Sequence, residues 1–304
     1  MTVTPEPDLL AKIEDYLTHC KARNMSPHSV RAYRTDLSGL AQYLGPLPLS
    51  QINRRTIRSF VVMLHEVGAS TATVRRQLTV VKSFCTWLHG QGFMDASLIQ
   101  SLRGPKPHDA LPDVPSEEDM RRLLEGEIPG RCPSRDRALL ELLYGAGLRA
   151  AEAIAINIAD FQDDRIVVIH GKGNRDRHAV FGEPCQQAIA AWLSVRERLL
   201  KEVAIKTDAL FCSVSNRRSE RLAVRNVNRI VARIAEANGL PKFNPHALRH
   251  ACATHSHDRG MPLQAVAMML GHEQLDSTQI YTRVSTGRML DVYRKAHPHA
   301  KRVA

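Results

Sequence analysis

Leu9, Leu10, Ile13 and Leu17 recur at three- and four-residue spacing, the period of an amphipathic helix rather than the two-residue period of a strand. The same rhythm runs through most of the chain. Ser26-Pro27 supplies a cap followed by proline at the first helical position, opening a helix that reaches about Leu44. A third helix is predicted over about Thr56 to Val67, with Gly68 stopping it. Ser70 caps a fourth that carries Val74, Leu78, Val81, Phe84, Cys85 and Leu88 on one side. These four helices predict a small bundle.

The pattern breaks between Arg103 and Pro115, where four prolines and a glycine fall within thirteen residues. Such a stretch cannot continue a helix and reads as an extended linker. Beyond it, Ser116-Glu117-Glu118-Asp119 resembles a capping box that starts a helix ending before Gly126. Another helix is predicted from about Ser134 to Tyr144. One β signal follows: Arg165–Ile169 and Arg177–Phe181 flank Gly171-Lys172-Gly173-Asn174, which predicts a hairpin with Lys172 in its loop. The remainder reads as helix, over about 183–201, 223–238, 245–259, 262–270 and 285–296, with a short piece near 276–282. The expected fold is mainly α, in two domains. Residues 1–103 form an N-terminal helical bundle and 104–115 a linker. Residues 116–304 form a mostly helical C-terminal domain with a small antiparallel β hairpin or sheet.

At 304 residues, with 43% hydrophobic and 24% charged residues, the chain suits two soluble domains. No apolar run approaches the roughly 18 to 20 residues of a membrane span, and the polar N-terminus lacks the order of a secretion signal, so a cytoplasmic protein with no membrane partner is expected. Six cysteines are spread singly, which predicts buried free thiols rather than disulfides or a zinc site. Lys and Arg number 42 against 31 Asp and Glu, a net charge of +11. That excess points to a polyanionic partner. Residues 1–110 carry 13 basic and 8 acidic side chains and the remainder 29 and 23, so both halves share it. On the N-terminal helices Arg31, Arg34, Arg75, Arg76 and Lys82 are candidates for a DNA-facing surface, as opposed to plain solvated charge.

Candidate chemistry is concentrated in the C-terminal half. His246 and Arg249 stand three apart at the start of a helix, where an arginine fork and a histidine can meet a phosphate. Arg149 follows a Gly145-Ala146-Gly147 turn, with Glu152 three residues on to steady it. Lys172 can protonate a departing 5′-oxygen as general acid. Tyr281 offers a phenol, ordinarily ionising near 10, that neighbouring arginines would favour as phenolate; Tyr293 is the rival nucleophile. No metal or other cofactor is expected. Although His246 and His250 are four apart, Ala247 stands where a metalloprotease helix carries glutamate.

Taken in order, Gly147-Leu148-Arg149-Ala150-Ala151-Glu152, Gly171-Lys172-Gly173-Asn174, His246-Ala247-Leu248-Arg249-His250, Leu270-Gly271-His272 and Ile280-Tyr281-Thr282 resemble the motifs of the tyrosine recombinases, the phage-integrase class. Within that class the chain is most similar to the Xer recombinases, and the ending His297-Pro298-His299-Ala300 is similar to the Xer tail. The likeness covers nearly the whole chain. It implies that Arg149, His246 and Arg249 activate a scissile phosphate and that His272 contacts one of its oxygens. Lys172 then protonates the leaving group, Glu152 supports the arginines and Tyr281 forms a 3′-phosphotyrosine. It further implies a homo- or hetero-tetramer on double-stranded DNA, strand exchange through a Holliday junction, a last helix docked on a neighbouring protomer, and gating by a DNA translocase. A type IB topoisomerase-like nicking-closing enzyme and a non-catalytic DNA-binding regulator are the alternative readings. One departure stands out: beyond Arg149 this chain has Ala-Ala-Glu-Ala-Ile-Ala-Ile, where the family has a small polar residue before glutamate and leucines after it.

Overall fold

Each α-helix described in the N-terminal unit begins at a side chain able to satisfy its first free N–H groups. In the computed structural model, α1 (Leu9–Ala22) follows Asp8, whose carboxylate accepts from the Leu10 N–H. α2 (Pro27–Leu44) follows Ser26, which accepts from Ser29 at 3.0 Å. α3 (Arg54–Glu66) follows Asn53 in a reciprocal box with Thr56, and α4 (Thr71–Gly90) follows Ser70. The structure describes residues 8–95, 114–163, 166–169, 176–202, 204, 206–213, 221–271 and 286–300, in two units dividing between Ala110 and Leu111. Most of the expected linker and the short helical piece near 276–282 therefore lie outside the described residues.

The first unit is the expected helical bundle. Leu17, Leu37, Val74, Val81 and Leu88 are buried at its centre, each worth about 1.5–3 kcal/mol relative to exposure. Tyr16 packs its ring 5.4 Å from that of Phe84 and 5.6 Å from that of Trp87. Its hydroxyl is 2.7 Å from Ser83 Oγ, so the one polar atom of the ring is satisfied inside the core.

The second unit is built around α6 (Pro133–Gly145), which is buried on nearly every side. α5 (Glu117–Glu125) precedes it, opened by the predicted box: Ser116 Oγ accepts from the Asp119 N–H at 3.0 Å, and Asp119 accepts from the Ser116 N–H at 3.1 Å. α7 (Ala150–Ala155) leads to an antiparallel sheet of β1 (Phe161–Asp163), β2 (Ile166–Ile169) and β3 (Arg177–Val180), in that spatial order. The β2–β3 register pairs Ile166 with Val180 and Ile169 with Arg177, as a hairpin requires. β1 extends that hairpin. At three residues it is too short to show an alternation of its own, and it joins through an irregularity in register.

α8 (Glu183–Glu202) lies along α6 and buries Trp192, whose indole N–H donates to the Leu210 carbonyl at 2.8 Å. α9 (Val224–Ala237), α10 (Pro245–Asp258) and α11 (Leu263–Leu270) follow. α12 (Thr286–Ala296) packs on β3, α10 and α11 of its own chain. Its apolar face, through Tyr293 and Ala296, is buried in the core of its own unit. The following residues are pinned as well: His299 Nε2 is 2.9 Å from Glu141 and the Glu183 N–H donates to the Ala300 carbonyl at 3.2 Å. All six cysteines are free and buried.

Candidate active site

The site grows from the turn after α6. Gly147 has φ +59°, and a Cβ there would lie 2.6 Å from Leu270 Cδ2 and 3.1 Å from Cys252 Sγ. Only glycine lets this turn close against α10 and α11. Arg149 then sits at the cap of α7, and its own N–H donates to Glu152 Oε2 at 2.9 Å while its Nη1 donates to Oε1 at 2.7 Å. The helix start thus fixes the carboxylate by two bonds from a single residue.

Two more arginines converge on that carboxylate. Arg177, the first residue of β3, donates from Nη2 to Glu152 Oε2 at 2.9 Å. Arg249 of α10 brings Nη1 within 3.7 Å of the same oxygen. Arg249 is chiefly held by backbone: Nη1 donates to the Gly147 carbonyl and Nη2 to the Leu270 carbonyl, both at 2.6 Å. Arg177 Nη1 likewise donates to the Met269 carbonyl at 3.1 Å. The carbonyl end of α11 is therefore capped by two guanidinium groups, where the helix dipole favours positive charge.

Three guanidinium groups around one carboxylate leave a local excess of two positive charges. Burial works to raise the Glu152 pKa, but the Arg177 charge and the bonds from Arg149 outweigh it, so the carboxyl ionises more readily than an ordinary glutamate. Burial pushes Arg249 down to about 10, and the Arg149 charge adds to this, partly offset by Glu152. Burial also lowers Arg177, with Glu152 opposing it. Arg149 keeps 47% of its side chain exposed against 5% for Arg249, so one guanidinium faces solvent while the other is locked. A cationic centre held in this way is preorganised for an anion.

His246 occupies the first turn of α10, opened by Asn244, which accepts from the Ala247 N–H at 2.9 Å, and by Pro245. It is exposed and lines a groove of about 440 Å³ with Asp119, Lys242, Phe243 and His250. It makes no bond to the Glu152 cluster, so of the expected set the described residues bring together Arg149, Glu152 and Arg249. Lys172, His272 and Tyr281 lie outside the described residues. Tyr293, the rival nucleophile, is fully buried and stacked 4.7 Å from His297, and burial raises its phenol well above 10. A phenol sealed in the core cannot reach a substrate. Among the described residues no cluster of three or more His, Cys, Asp or Glu is arranged to hold a metal.

Residues 115–288 match the phage integrase family, and residues 13–92 match the N-terminal SAM-like domain of phage integrases. The chain belongs to the phage integrase family. It is a tyrosine recombinase, an enzyme that cuts and rejoins DNA. The tyrosine recombinase XerC of Corynebacterium glutamicum is 35% identical over 292 residues, which cover 95% of this chain and 92% of that protein. The tyrosine recombinase XerD of Oceanobacillus iheyensis is 32% identical, covering 95% of this chain and 98% of that protein. Among solved structures, XerH bound to its difH substrate before cleavage aligns with a TM-score of 0.64 at 24% identity, covering 90% of this chain and 81% of that one. A lambda integrase tetramer on a Holliday junction aligns with a TM-score of 0.68 at 14% identity, covering 90% of this chain and 76% of that one. These two show the same fold.

The recombinase carries two features that the motif reading missed. The strand parity of Arg177 with Ala179 and Phe181, both fully buried, was readable, but the partner that an inward-facing arginine requires was not. On α9, Arg225, Arg229 and Arg233 recur every four residues on the exposed side, a basic stripe visible from spacing alone. Of the five basic residues singled out on α2 and α4, Arg34 is paired with Glu14 and Arg76 with the buried Asp36. Arg31, Arg75 and Lys82 are exposed, with no side-chain partner among the described residues.

Proposed function

We propose that this chain is a Xer-type site-specific recombinase in which Tyr281 attacks a phosphodiester and forms a 3′-phosphotyrosine. Arg149 and Arg249 take the nonbridging oxygens, His246 and His272 assist at the phosphate, and Lys172 protonates the departing 5′-oxygen. Glu152 holds the two arginines in register. The phosphotyrosine conserves the energy of the broken bond, so the free 5′-hydroxyl of a partner strand can displace the tyrosine without ATP. Residues 1–103 grip the core DNA and residues 116–304 perform the chemistry. Four protomers, of one or two related kinds, exchange strands through a Holliday junction. The job is resolution of chromosome or plasmid dimers in the cytoplasm, gated by a DNA translocase.

The observation that carries this reading is the half-buried Glu152 with its three arginines: a site with two surplus positive charges suits a phosphorus centre gaining negative charge. Mapping where the protein sits on its own genome supplies the DNA. A nicked duplex bearing that sequence, incubated with the protein in EDTA, is expected to give a denaturant-resistant protein–DNA adduct. Tyr281→Phe is expected to give none while DNA binding persists. An adduct that survives Tyr281→Phe refutes the nucleophile, and wild type that binds without an adduct refutes the enzyme.

A further inference from the structure

We propose that Arg177 is a positioning residue of this centre, tying the Glu152 carboxylate to the carbonyl end of α11 so that the arginine pair and the Gly271 turn move as one body. The inference rests on the recombinase reading above. Its basis is a set of three contacts from one planar fork. Nη2 donates to Glu152 at 2.9 Å and Nη1 donates to the Met269 carbonyl at 3.1 Å. The third contact is steric: Gly271 has φ +67°, and a Cβ there would lie 2.5 Å from Arg177 Nε and 2.7 Å from its Cδ. The turn that ends α11 is thus shaped around this side chain, and in sequence it leads directly into His272.

Arg249 makes the parallel connection, from the Gly147 carbonyl to the Leu270 carbonyl. Consecutive carbonyls of α11, Met269 and Leu270, are therefore held by two arginines that meet again at Glu152. Removing Arg177 leaves Met269 without its cap and Glu152 with Arg149 as its one hydrogen-bonding guanidinium. Arg177 is largely covered, with 18% of its side chain exposed, against 47% for Arg149.

The charged groups facing Glu152 are Arg149 from the cap of α7, Arg177 from β3 and Arg249 from α10, with the Cys252 thiol on α10 beside Arg249. The Arg177 charge is the largest single contribution keeping Glu152 ionised, alongside the hydrogen bonds and charge of Arg149, so its loss raises the pH at which the carboxylate protonates and releases its arginines.

The test compares full-length wild type, Arg177→Gln and Arg177→Lys on the same nicked duplex. Arg177→Gln should form adduct about 10- to 100-fold more slowly at saturating DNA, from loss of a charged hydrogen-bond donor. Its half-saturating DNA concentration should stay within about threefold of wild type, because the phosphate-contacting groups remain. The acid limb of its pH–rate profile should move to higher pH. Arg177→Lys should restore that limb, since the charge returns, yet recover the rate only in part, since one ammonium cannot reproduce the bidentate fork. Arg177→Gln cleaving at the wild-type rate overturns the proposal, as does a slowed variant whose acid limb is unmoved. If Arg177→Gln fails to fold, Arg177→Lys decides alone: a slowed rate with a wild-type acid limb supports the proposal and an unchanged rate overturns it. Wild type that yields no adduct brings down the recombinase reading, and this inference with it; every other negative result touches Arg177 alone.

Discussion

On α2 and α4 the paired arginines are matched by carboxylates one for one, Arg34 with Glu14 and Arg76 with Asp36, whereas around Glu152 three guanidinium groups share a single carboxylate. Balanced pairs hold helices together and leave little field outside. An unbalanced cluster is under electrostatic tension that an arriving phosphate relieves. Surface position does not separate the two kinds, because Arg149 and Arg76 are about equally exposed. The carboxylate count does.

The comparison breaks most visibly at Arg249. Arg249→Ala removes one of the surplus charges and both ties between the Gly147 turn and α11. Adduct formation should fall by about 10³-fold or more, the scale of removing a preorganised transition-state donor. The same change exposes two uncapped carbonyls in a buried turn and should destabilise the unit by about 2–4 kcal/mol, read from denaturant unfolding. Arg249→Ala cleaving within about tenfold of wild type would show that the cluster is structural only.

Glu152→Gln sharpens the same contrast from the anionic side. It leaves three guanidinium groups with no countercharge and should cost about 3 kcal/mol at neutral pH. The Glu152 pKa is lowered in the folded chain, so its stabilisation is complete above its ordinary value of about 4.5 and drains away as pH falls through the lower folded value. The stability gap between wild type and Glu152→Gln should therefore close in acid. A gap constant down to strongly acidic pH would mean that the charge is not what matters.

Much of this arrangement was legible in the sequence. The caps at Ser26, Ser70 and Ser116, the glycine stop at Gly68 and the hairpin register each follow from local chemistry, and local chemistry is what a sequence states directly. Arg149, Glu152 and Arg249 were legible as a set through motif order, although no spacing rule places residues 149 and 249 on one carboxylate. What escaped depends on tertiary contact. Arg177 gained its role from a strand facing inward toward α7 and α11, and β1 pairs only because β2 is beside it. The separation of Arg76 from Arg75 depends on Asp36, forty residues away and 1% exposed. The linear chain shows two adjacent arginines; folding neutralises one of them.

Arg76→Ala should therefore register as a stability change. It strands a buried carboxylate, costs about 1–3 kcal/mol, and weakens DNA binding only as far as the folded fraction falls. Asp36→Asn in the same chain should recover most of that loss, because no buried charge is left unpaired.

The smallest effect is the most discriminating. Arg75 is exposed and has no side-chain acceptor among the described residues, so Arg75→Ala should leave the melting temperature unchanged. If Arg75 neutralises a DNA phosphate, the slope of log affinity against log salt should become shallower by about 0.9, and affinity at low salt should fall severalfold. Arg76→Ala should show the opposite signature, a lowered melting temperature with an unaltered salt slope for the folded protein. The two substitutions remove the same group from neighbouring positions on one helix, so charge number and helix propensity cancel between them. If both variants change the salt slope equally, the ion pair with Asp36 opens on DNA and pairing does not decide which arginines meet phosphate. If neither does, this face of the N-terminal unit is solvated charge and the DNA lies elsewhere.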